Sequence, residues 1–73
     1  MRHLMRAEYE NAEPEAGRPG PVKTWHMVRG EEAVAMCGRA LRPGARSLSD
    51  EEWGRTAEPF CHTCGALYLR EVP

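Results

Sequence analysis

Two cysteines set two residues apart in Cys61-His62-Thr63-Cys64-Gly65 can grip one metal ion from a single tight turn, and in a chain of 73 residues that capacity narrows the choice of fold. A chain this short buries a modest share of its surface and stays marginal without a staple such as a metal or a disulfide. The apolar inventory is thin: isoleucine is absent, and the longest apolar run, Ala33 to Cys37, is five residues. Three cysteines strand one thiol in any disulfide scheme, whereas they suit a Cys3His metal site once a histidine joins them.

Zinc takes thiolate and imidazole ligands, four of them in a closed tetrahedron when its role is structural. His26, Cys37, Cys61 and Cys64 meet that count and are the expected metal ligands, holding one structural Zn2+. Backbone amides of the C-x2-C turn can point at its first sulfur, and Gly65 is expected to supply backbone angles that a side chain would oppose. His3 is an alternative fourth ligand, but it lies in what reads as an N-terminal arm; His62 lies inside the turn, and both are expected to face solvent.

The competing readings are a redox dithiol, a buried apolar role for Cys37, and a hydrogen-bonded core role for His26. Redox C-x2-C pairs belong in a βαβ setting, which this pattern lacks. Three ligands plus water would make a catalytic zinc, with Glu31, Glu32 or Glu58 as base. However, no H-E-x-x-H or H-x-E motif sets a carboxylate beside a ligand, so no enzyme is expected. An iron–sulfur cluster would call for denser cysteine spacing.

Along the chain, Leu4 to Ala12 suits a turn or two of helix, and 13–21 carries three prolines and two glycines, the makings of a flexible linker. The expected division is a flexible arm over 1–21 and a zinc-binding mini-domain over 22–73. Val22-Lys23-Thr24-Trp25-His26-Met27-Val28 reads as a strand, Arg29 to Glu32 as a turn, and 33–37 as a return strand, making a hairpin. With Val28 opposite Ala33, His26 and Cys37 become diagonal neighbours on one face, about 7–8 Å apart at the backbone. Ser49 and Glu52 have capping-box spacing, with Leu48 and Trp53 as a hydrophobic staple, so a helix of one or two turns is expected there before Pro59. The segment after Gly65 fits helix or strand, and helix is preferred. The expected fold is therefore a small metal-stabilised α+β unit: β-hairpin, short helix, and a C-terminal zinc knuckle followed by a short helix.

Net charge near zero argues against a protein that binds nucleic acid through bulk charge. No apolar run can cross a bilayer, and the basic start lacks the apolar core of a secretory signal, so a cytoplasmic address is expected. Nine arginines against one lysine, with abundant alanine and glycine, is the composition of a GC-rich bacterial genome.

The ordered set His26, Cys37-Gly38-Arg39, Trp53 and Cys61-x2-Cys64 resembles the short zinc-finger-like open reading frames of actinomycetes and their phages. The likeness covers about 25–66 and implies a zinc-binding mini-domain. The late turn is also similar to zinc-ribbon and treble-clef knuckles. A binding module for another protein is the expected function, with Arg39, Arg42, Arg46, Trp53 and Trp25 as candidate contacts; the alternative is nucleic-acid binding through Lys23, Arg29 and the same arginines. No small-molecule substrate is expected.

Overall fold

The N-terminal strand organises the sheet. In the computed structural model, which describes residues 2–10, 21–42 and 44–71, β1 (His3–Tyr9) lies between β2 (Val22–Arg29) and β3 (Ser47–Ser49), antiparallel to both. A single 3-10 turn (Asp50–Glu52) follows β3, and α1 (His62–Glu71) ends the described chain. No helix among the described residues is long and apolar enough to cross a membrane.

His3–Tyr9 are thus a paired strand rather than part of the arm expected over 1–21 or of the helix expected over Leu4 to Ala12, whose residues from 11 on lie outside the described residues. Methionine, leucine, alanine and glutamate favour helix in isolation, but pairing along two edges overrides that weak preference. The register sets Met5 opposite Met27, Ala7 opposite Trp25 and Arg6 opposite His26. Directly opposed residues share a face. Met5, Ala7, Trp25 and Met27 accordingly form the core together with Ala35, Met36 and Cys64. Most of the expected linker over 13–21 lies outside the described residues, although Pro21 is described and its carbonyl accepts from the Glu10 amide at 3.0 Å, extending the β1–β2 ladder beyond the strand ends.

Residues 33–37 are not the full return strand of a hairpin with β2, because β1 holds one edge of β2 and, on the edge left open, the Trp25 backbone bonds to Pro59 and Cys61 rather than to them. They instead lie along the opposite edge of β2, where the Met36 amide donates to the Met27 carbonyl at 2.8 Å. From there the chain turns back on itself: Gly38 donates to the Ala35 carbonyl, and Ala35 donates to the Arg39 carbonyl, each at 2.8 Å. Gly38 has φ +96°, a conformation open chiefly to glycine, and it lets this turn close. The same edge of β2 receives the segment before α1, since Trp25 donates to the Pro59 carbonyl and Cys61 donates to the Trp25 carbonyl.

The expected helix after Leu48 shortens to one 3-10 turn. Ser49 caps it, its hydroxyl accepting from the Glu51 amide at 3.2 Å, while Gly54, at φ +81°, turns the chain away just after it. The preferred helix after the C-x2-C pair is present, but it starts at His62 and takes Cys64 into its first turn. α1 is tied to the sheet at its far end. Arg29 donates to both carboxylate oxygens of Glu71, and His3 Nε2 donates to Glu71 Oε1 at 3.0 Å. These two partners hold the Glu71 carboxyl down at about 2. His3 is thus buried, 4% exposed, and set edge-on to Tyr68, rather than facing solvent as expected; a place inside the central strand accounts for the difference.

Candidate metal centre

Three separate segments meet at the outer edge of β2. His26 comes from the strand, Cys37 from the Ala35–Arg39 turn, and Cys61 and Cys64 from the start of α1. Their donor atoms all lie within 4.8 Å of one another, so the four residues could hold one metal ion. A tetrahedral ion with bonds of about 2.3 Å to sulfur and about 2.0–2.1 Å to nitrogen would set nitrogen and sulfur roughly 3.6 Å apart. His26 Nδ1 stands 3.6 Å from Cys37 Sγ and 3.6 Å from Cys64 Sγ. Three thiols and one imidazole nitrogen are a soft donor set, which suits zinc-like ions and leaves no protein position vacant in a tetrahedron.

The local chemistry of the pair follows from the helix start. Cys61 Sγ accepts from the Cys64 amide at 3.4 Å, as a capping side chain accepts from an otherwise unpartnered amide of the first turn. Burial alone would raise the Cys61 thiol, but the amide of Cys64, neighbouring thiols of Cys64 and Cys37, and the amide of Thr63 outweigh it and bring it below the ordinary thiol range. Cys64 is sealed from solvent, and burial pushes its thiol up to about 12.

That asymmetry has a measurable consequence. Near neutral pH and without metal, Cys64 keeps its proton, whereas a metal-bound sulfur is a thiolate, so at least this proton leaves when an ion binds. Lower pH restores the proton and opposes binding. Chelator competition between pH 6 and 8 should show affinity rising about tenfold or more per pH unit. A flat profile would show that Cys64 does not ligate.

Gly65 has a different role from the one expected. It has ordinary helical geometry, and a Cβ added there would lie 3.3 Å from Trp53 Nε1. Its small size admits the Trp53 ring against the first turn of α1. Trp53 in turn packs on Phe60, with ring centroids 5.1 Å apart, and Phe60 on exposed His62 at 5.2 Å.

The three arginines have different surroundings. Arg39 reaches Glu8 at 2.9 Å, Arg46 lies over the Trp25 ring at 5.8 Å, and Arg42 is exposed. Lys23 also turns to Glu8, at 3.8 Å.

Glu8 is the residue that sequence reasoning missed. Its Oε1 accepts from His26 Nε2 at 2.7 Å, which leaves the Nδ1 lone pair directed at the sulfurs. Burial alone would raise its carboxyl, but the hydrogen bond from His26 and the charges of Arg39 and Lys23 hold it below the usual carboxylate range. The signal was the alternation of Met5, Ala7 and Tyr9 with Arg6 and Glu8, a strand pattern inside the segment taken for an arm.

No protein-family model, curated protein or solved structure matches this chain.

Proposed function

We propose that this chain is a structural-zinc domain that presents a surface to another protein. The observation that carries the reading is the His26, Cys37, Cys61 and Cys64 cluster, whose nitrogen–sulfur spacings match a tetrahedral ion and whose members come from three segments far apart in sequence. Zinc fits the donor chemistry, and four protein ligands favour a closed structural role over catalysis. Glu8, the carboxylate bonded to His26, sits on the ring nitrogen away from the sulfurs, where it orients the ligand rather than serving as a base for metal-bound water. The resemblance to short zinc-finger-like proteins of actinomycetes and their phages agrees with this reading.

The surface we assign to the partner is the strip of Trp53, Phe60 and His62 beside the helix start. Phe60 remains 37% exposed there despite its ring contacts. Aromatic residues with one face seated and one free are frequent anchors of interfaces. Nucleic-acid binding has less support, because Lys23 and Arg39 pair with Glu8 and Arg29 pairs with Glu71.

Native mass spectrometry should find one zinc per chain. Affinity capture from the native host should recover a protein partner that a Phe60→Ser variant loses while retaining its zinc. A chain that takes up no metal overturns the zinc reading. Partner recovery unchanged by Phe60→Ser overturns the assigned surface.

A further inference from the structure

We infer that Glu8 is a positioning residue for the metal centre, clamping the His26 ligand and the Cys37-Gly38-Arg39 turn to the central strand. The inference rests on the zinc reading and deepens it. Its first half is the bond from His26 Nε2 to Glu8 Oε1, which fixes the ring's tautomer and rotation so that Nδ1 meets Cys37 and Cys64. A ligating histidine steadied by a carboxylate binds metal more tightly because the ring need not be ordered on binding and its basicity rises.

The second half is the other oxygen of the same carboxylate. Arg39 Nη2 lies 2.9 Å from Glu8 Oε2, and Arg39 stands two residues beyond the ligand Cys37. Gly38, at φ +96°, reverses the chain between them. A closed ring results: Cys37, the turn, Arg39, Glu8, His26, and back to Cys37 through the ion. The Glu8 side chain is 14% exposed whereas that of Arg39 is 58% exposed, so the His26 bond is the better shielded of the two and the Arg39 contact the more screened by solvent. The three positions Cys37, Gly38 and Arg39 thereby acquire separate duties: ligand, reversal and tether.

The test measures Zn2+ affinity by chelator competition in a thermodynamic cycle. Glu8→Ala should weaken zinc binding about 10- to 100-fold. Glu8→Gln, which keeps an oxygen able to accept from His26 but loses the charge, should fall between it and the wild type. Arg39→Ala should weaken binding less than Glu8→Ala and add little to it in the double variant. In a His26→Cys background there is no imidazole to orient, and Glu8→Ala should then cost no more than about threefold. Equal losses in both backgrounds would mean that Glu8 merely supports β1, and the inference would fail.

Should His26→Cys not fold, nitrogen-15 NMR of the zinc-bound wild type decides the matter. The inference requires a zinc-bound Nδ1 and a protonated, slowly exchanging Nε2 whose protection disappears in Glu8→Ala. A freely exchanging Nε2 in the wild type overturns it. A wild-type chain with no zinc affinity overturns this inference along with the zinc reading, while normal zinc binding unaffected by Glu8→Ala overturns this inference alone.

Discussion

Stripping the metal with a strong chelator at neutral pH should unfold the chain, with loss of the near-ultraviolet circular dichroism of Trp25 and Trp53 and recovery when zinc is returned. The largest fully buried side chains are Trp25, Met5, Met27, Val28 and Cys64, a small core for the length of chain that must be ordered. A structural zinc site contributes apparent binding free energy on the order of 10 kcal/mol, comparable to the whole stability of a small domain. An ion held there would reinforce the junction of β2, the Ala35–Arg39 turn and the first turn of α1, which the core spans through Trp25, Met27, Ala35, Met36 and Cys64. Cys64→Ala should reproduce the chelator's effect, because this ligand is also a member of the core. A chelated chain that keeps its aromatic signal and melts cooperatively would show that the metal is incidental to the fold.

Deleting residues 2–9 should abolish the fold even with zinc in excess. The segment supplies the central strand, half of the Met5, Ala7, Trp25 and Met27 core layer, and the carboxylate on His26. Without it, β2 loses its partner along one edge and β3 has no strand to pair with. A milder version is Met5→Asp, which places a charge at a site with no solvent exposure and should cost at least about 3 kcal/mol in denaturant unfolding of the zinc-loaded chain. Both outcomes contrast with what a dispensable arm would give, namely an unchanged midpoint and unchanged zinc affinity.

The cluster of possible donors was legible in the sequence because it depends on chemistry carried by single residues. A C-x2-C pair, a third cysteine and a strand histidine are enough to name the four donors, whatever path the chain takes between them. Their assembly was less legible. His26 and Cys37 were expected to meet as diagonal neighbours across a hairpin, whereas Cys37 reaches His26 from a turn laid along the outer edge of β2. β1 takes one edge of β2 and the segment before α1 takes the Trp25 backbone on the other, and both pairings join distant segments that local preference does not register. The helix after the C-x2-C pair followed from its good helix formers, yet its first residue did not, because the Cys61 thiol itself caps the turn. Glu8 stayed hidden for the same reason as β1. Its importance lies in what stands diagonally across the ladder, and that is set by register rather than by any local motif.

The middle strand precedes both of its neighbours in the chain, and its His3 is bonded to Glu71, 68 positions later. During synthesis β1 therefore emerges before β2 and β3, the strands it pairs with, and a nascent chain stopped before α1 lacks both the Cys64 sulfur and the Glu71 carboxylate. Contacts at such long sequence separations slow folding relative to local ones.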